Sequence, residues 1–177
     1  MAVATTVGQS FSASGNTFSA NRYANILASA LTLNLTGNTI TGSNWGVVAQ
    51  ASSPANTVVN LSGGNVVSQA AAAGLTVFDD NLADAFAATI QGSGNQFVNN
   101  AVGAANTPVQ GTVSLACNWW GSPYGPINPA NPLGQGNPAT VNTTFTNWAI
   151  DNTTFACTGN PQNNILLASP QIPVPTL

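Results

Sequence analysis

The sequence predicts an all-β chain in which short parallel strands coil and stack, one circuit upon the next, and three observations carry that prediction. An Asn recurs at Asn16, Asn38, Asn65, Asn95 and Asn118, spaced by 22, 27, 30 and 23 residues, after Gly15, Gly37, Gly64, Gly94 and finally Cys117. Two residues past each Asn stands a bulky apolar side chain, in turn Phe18, Ile40, Val67, Phe97 and Trp120. Before each Asn the chain alternates apolar and polar, the mark of a strand with one buried face.

Each repeat supplies the same parts in the same order. The alternating stretch presents Phe11 and Ala13, then Leu33 and Leu35, Val59 and Leu61, Ile90 and Gly92, and Val113 and Leu115. The third repeat needs the extra glycine of Gly63-Gly64 to stay in step. The Asn marks a bend, because it tolerates left-handed backbone and its amide can bond to backbone or to the amide one rung away. The preceding Gly relieves the steric cost of the turn. Further strands are expected at 25–27, 46–48, 74–77 and 101–103. Repeats of 20 to 30 residues without a helical period bury their inward side chains only by stacking. An antiparallel sandwich also has short strands and Asn/Gly turns, but it does not require the Asn-x-apolar register.

Composition narrows the partners. Of 177 residues only 3% are charged, with one basic side chain, Arg22, four acidic ones and no His, against 44% hydrophobic. Ordinary domains are about a quarter charged, so Asn, Thr, Ser, Gln and Gly must solvate this surface. One cation cannot neutralise several phosphates or an anionic bilayer, which excludes nucleic acid and electrostatic membrane binding. No stretch approaches the length of a membrane span. The opening Met1-Ala2-Val3-Ala4-Thr5-Thr6 shows neither a basic nor an apolar signal region, so export would need processing or another route. Cys117 and Cys157 stand alone, without CxxC spacing or His, so zinc is excluded. A single disulfide is expected, two buried thiols being the alternative, and a disulfide favours an oxidising compartment.

The segment Cys117-Asn118-Trp119-Trp120-Gly121-Ser122-Pro123-Tyr124-Gly125-Pro126 resembles the NWWG-x-x-x-GP motif that closes many right-handed parallel β-helix repeat proteins of the pectin-lyase-like group. In that group a linker and a short strand ending in aromatic-Pro-Trp-Leu complete the last rung. Here residues 141–150 fill that place, with Phe145 and Trp148 and with Asn147 where Pro is usual. The resemblance covers about residues 10 to 150. It implies a single-domain right-handed parallel β-helix, or β-solenoid, of about five to six rungs, with a C-terminal cap and an extended tail. It implies no activity, since members include surface proteins of no assigned chemistry and enzymes acting on polysaccharides. Domain limits follow as 1–150 for the coil with its cap and 151–177 for the extension.

The cap reading places Trp120 in the interior column and Trp119 under the returning Pro-rich loop. The sharper alternative stacks a sugar on Trp119, Trp120 and Tyr124. Lacking His, Lys and Glu, the chain offers no nucleophile-base triad or Schiff-base lysine. Its carboxylates are Asp79, Asp80, Asp84 and Asp151. The first three invite comparison with the paired carboxylates of β-helix glycosidases, or, with Asn81, with a weak Ca²⁺ site; a solvated loop is the plain reading. No other cofactor is expected, and the chain is read as not an enzyme. Sequons occur at Asn34, Asn60, Asn142 and Asn152. Thr17, Thr39, Val66 and Gln96 do not make the flat Thr rank of an ice-binding face.

The tail is apolar, uncharged and broken by prolines at 170, 173 and 175, hence extended. Its Ile165, Leu166, Leu167, Ile172, Val174 and Leu177 need cover, on this copy or the next. Residues 3–11 show no amphipathic capping helix, which leaves an edge for strand addition. The resulting expectation is a self-associating, extracellular or cell-surface structural subunit, a homo-polymer joined head to tail. The alternative is a polysaccharide-binding or polysaccharide-processing domain of an adhesin or spike, with surface glycans as partners.

Overall fold

The computed structural model describes residues 2–4, 7–79, 83, 85–106 and 111–162. The chain is all-β with parallel sheets. Its strands come in sets of three: β1 (Ala2–Ala4), β2 (Ser10–Ser14) and β3 (Thr17–Ser19), then β4 (Ala24–Ser29), β5 (Thr32–Thr36) and β6 (Thr39–Thr41). The pattern continues with β7 (Trp45–Ala51), β8 (Thr57–Ser62) and β9 (Val66–Ser68), and with β10 (Ala73–Asp79), β11 (Ala88–Ser93) and β12 (Gln96–Val98). It ends with β13 (Ala104–Asn106), β14 (Gly111–Ser114) and β15 (Thr143–Thr144). The first sheet is β1-β4-β7-β10-β13, the second β2-β5-β8-β11-β14-β15 and the third β3-β6-β9-β12. Each circuit thus visits the three sheets in turn and pairs with the circuit before it.

Alternation fixes which side chains meet. In the third sheet Phe18 lies on Ile40, Ile40 on Val67 and Val67 on Phe97. The parallel bridge Gln96 to Trp119 carries the register one step further, and the Trp120 ring packs 4.9 Å from that of Phe97. In the second sheet Phe11, Leu33, Val59, Ile90 and Val113 form one inward row, and Ala13, Leu35, Leu61 and Gly92 the next. Ile26, Val47, Leu75 and Ala104 line the first sheet. These rows converge on one apolar core.

The bend after the second sheet is an amide ladder. Asn38 Oδ1 accepts the Asn16 N–H at 2.9 Å, Asn65 Oδ1 that of Asn38 at 2.9 Å, Asn95 Oδ1 that of Asn65 at 3.2 Å and Asn118 Oδ1 that of Asn95 at 2.9 Å. Each of Asn38, Asn65, Asn95 and Asn118 also donates its Nδ2 to a carbonyl of the preceding circuit, those of Ala13, Leu35, Leu61 and Gly92. Buried amides are tolerated here because both ends of each are paired. Gly63 and Gly64 both have positive φ, so the third repeat absorbs its extra residue at the turn.

A second recurring bend follows the third sheet, at Ala20, Gly42, Gln69, Asn99 and Gly121, all at positive φ. Ala20, Gln69 and Asn99 are not glycines, and a left-handed L-residue costs about 1–2 kcal/mol. Bonds between neighbouring bends, such as Ala20 N–H to the Thr41 carbonyl at 3.2 Å, offset that cost. Two bends are therefore constant and the third is not. The connections from the first sheet to the second span 30–31, 52–56, 80–87 and 107–110, and these account for most of the uneven Asn spacing. One strand is displaced from its expected place: β13 begins at Ala104, and 101–103 form a bend. Asn100 holds that bend, its Oδ1 accepting the Ala70 N–H and its backbone N–H donating to Asn137 Oδ1.

Candidate functional site

Among the described residues few side chains could carry chemistry. Asp79 ends β10, and its side chain lies outside the described residues, as do Asp80, Asn81 and Asp84. Among the described residues no three His, Cys, Asp or Glu gather as a metal site. Asp151 is tied into its own turn, accepting from the Thr154 and Thr153 hydroxyls and from both their amides at 2.6 to 2.9 Å. The Thr154 hydroxyl first, then those other bonds, hold the carboxyl well below the usual carboxylate range. The same turn engages Thr154, the threonine of the Asn152 sequon. Arg22 is exposed, beside a shallow polar hollow shared with Asn44 and Gln69.

The C-terminal end of the stack is closed. Trp120 and Trp148 are both fully buried, and Trp148 Nε1 donates to the Pro123 carbonyl at 2.9 Å. Gly125 and Gly159 press on the faces of the Trp148 ring, where any Cβ would overlap it. Asn131 Nδ2 ties the loop by donating to the carbonyls of Tyr124 and Pro126, and Asn128 Nδ2 to those of Ala139 and Thr140. Cys117 and Cys157 are joined in a disulfide, with Cα atoms 5.0 Å apart. Asn147, standing where Pro is usual in the resembled motif, has φ of 60°, which a proline ring cannot adopt. The three residues of the sugar-stacking alternative lie in different surroundings. Trp120 is inside the core, while Trp119 is half-buried on the outer row of the third sheet and Tyr124 is half-buried in the loop.

The N-terminal end is different. β1, β2 and β3 are the outermost strands of their sheets. Phe11 is 38% exposed, and Ala13 and Phe18 only partly cover the core beneath them. Between them opens an apolar hollow of about 250 Å³ that reaches down to Ile26, Leu31 and Leu33. The inward row that reads Leu61 and Leu35 ends in Ala13, and this loss of bulk makes the hollow. Asn16, exposed here, is the last member of the ladder; among the described residues nothing donates to its Oδ1.

Two outer faces are distinctive. On the first sheet, Tyr23 and Trp45 meet edge to face with ring centroids 4.8 Å apart. With Val48, Thr76 and Phe78 they line a groove of about 320 Å³. On the second sheet Gln91 Nε2 donates to Asn60 Oδ1 and Asn60 Nδ2 to Asn34 Oδ1, both at 2.9 Å, and Asn34 Nδ2 to Ser10 Oγ at 3.2 Å. The sequon residues Asn34 and Asn60 therefore face outward with their amides engaged, whereas Asn142 and Asn152 are exposed. No described helix is long and apolar enough to cross a membrane. The tail residues Ile165, Leu166, Leu167, Ile172, Val174 and Leu177 lie outside the described residues.

No family model, characterised protein or solved structure matches the chain. The outer aromatic groove and the second bend were not among the sequence-based expectations. Both carry a signal, since Tyr23 and Trp45 stand 22 residues apart, the length of their repeat, as do Ala20 and Gly42.

Proposed function

We propose that the protein is a non-enzymatic structural subunit that polymerises head to tail outside the cell, as a filament or surface layer. The observation that carries this reading is the inequality of the two ends: one is sealed by Trp148 and its loop, the other presents an apolar hollow and the outermost strands of three sheets. A heterologous contact between unlike ends propagates rather than closing. The near absence of charge removes repulsion between copies, and the disulfide supports an oxidising location. The subunit is read as a right-handed parallel β-helix of the pectin-lyase-like kind. The cyclic visit to three parallel sheets and the position of the Cys117-to-Pro126 motif on the closing circuit support that reading. Negative-stain imaging and sedimentation of the native protein over a concentration series test the function. Growing linear polymers are expected, and a monomer at every concentration refutes it.

The groove of Tyr23, Trp45 and Phe78 favours a second reading, a surface that binds neutral polysaccharide, because aromatic rings pack on the apolar faces of sugar rings. Titration with neutral oligosaccharides while following indole fluorescence checks it. A saturable change lost in Trp45→Ala supports glycan binding, and no change at millimolar sugar removes it.

A further inference from the structure

We infer that the joint between copies is the proline-free segment 165–169 of one chain, added as a strand along β2 of the next and filling its N-terminal hollow. This rests on the self-assembly reading and names the contact that reading requires. The sheet edge sets the first condition. Bare strand edges offer backbone groups to any partner able to pair with them, and the five residues of β2 (Ser10–Ser14) define the length on offer. In the tail, prolines at 170, 173 and 175 lack the N–H a ladder needs. The run from Gln162 to Ser169 keeps every donor, and its apolar part, Ile165-Leu166-Leu167-Ala168 with Ser169, is long enough to pair with all of β2.

Volume and reach set the other conditions. Parallel pairing with Ile165 beside Phe11 places Leu167 beside Ala13 and Leu166 outward beside Ser12. Leu167 then restores the bulk that the row of Leu61 and Leu35 loses at Ala13, inside the hollow of about 250 Å³. The described chain ends at Gln162, just past Gly159, which pairs with Trp148 at the sealed end. The second sheet has six strands, so its two ends lie about 24 Å apart at roughly 4.8 Å per step. Ile165 stands three residues past Gln162, a reach of about 10 Å when fully extended. That falls short of the return to its own hollow, while a copy stacked against the sealed end brings its hollow to where the tail begins.

The test uses full chains. One batch carries Ser12→Cys and another Leu166→Cys, and the two are mixed under mild oxidation; a third variant, Leu167→Asp, and the native protein are followed by sedimentation. The expected result is a cross-link between a Ser12→Cys copy and a Leu166→Cys copy, with association of Leu167→Asp weakened by more than about a hundredfold, because a carboxylate would be buried unpaired. Polymers that form without the cross-link and are indifferent to Leu167→Asp overturn this joint and leave self-assembly standing. A native monomer in which one chain carrying both cysteines cross-links internally overturns the joint and self-assembly together. A native monomer without any cross-link does the same.

Discussion

At the C-terminal end of the stack two indoles are wholly buried, two glycines clasp one of them, Asn128 and Asn131 tie down the loop and a disulfide pins the chain beyond it. At the N-terminal end Phe11 is 38% exposed, Ala13 leaves a void and Asn16 ends the ladder in solvent. Both ends face the same physical problem, an apolar interior and sheet edges exposed where the stacking stops. One end solves it within the chain. The other leaves its hollow uncovered among the described residues, and under the proposed assembly this asymmetry gives the molecule a direction.

The largest effect expected from breaking the asymmetry is at the sealed end. Trp148→Ala removes a fully buried indole and its bond to Pro123, which should cost about 4 kcal/mol in chemical denaturation. Reducing the Cys117–Cys157 bond, which closes a 40-residue span, should cost about 3 kcal/mol by the same measurement. The ladder sharpens the contrast from the middle outward. Asn65→Ala strips the buried Asn38 N–H and the Leu35 carbonyl of their partners and should cost about 2 kcal/mol. Asn16→Ala, at the exposed end, should cost less than about 0.5 kcal/mol. Phe11→Ala should also cost little, below about 1 kcal/mol because the ring is already partly in water, yet it should lower the polymer fraction at equal concentration.

Acid touches only the sealed end among these elements. The Asp151 carboxyl is held below its unfolded range by Thr154 and Thr153. Its stabilising contribution is fully present above the unfolded value of about 4 and is lost as pH falls below that towards the lower folded value. Thermal stability of Asp151→Asn and of the native chain should therefore converge in strong acid, which melting curves across an acid series check.

Much of the fold was legible because stacking forces like residues into like positions. The Asn ladder and the column from Phe18 to Trp120 could be read from spacing alone, since a rung that broke either would leave an amide unpaired or a gap in the core. The bend at Ala20 and Gln69 was harder to read, because left-handed backbone without Gly or Asn is marked only by its spacing from Gly42 and Asn99 in neighbouring repeats and is stabilised by those neighbouring bends. β13 escaped its expected place for a similar reason: the Asn100–Asn137 contact joins residues far apart in sequence. At the candidate site, the sealed end was legible through its Trp and Gly-Pro residues. The hollow was not, although Ala13 in a row of leucines is its cause.

The central claim is that the N-terminal hollow is where copies join, and sedimentation of native protein beside Phe11→Asp, with melting of both recorded at a concentration where each is monomeric, tests it most directly. The account predicts polymers for the native chain, monomers for Phe11→Asp and nearly equal melting. Equal polymerisation of the two, or a native chain monomeric at every concentration, would contradict it.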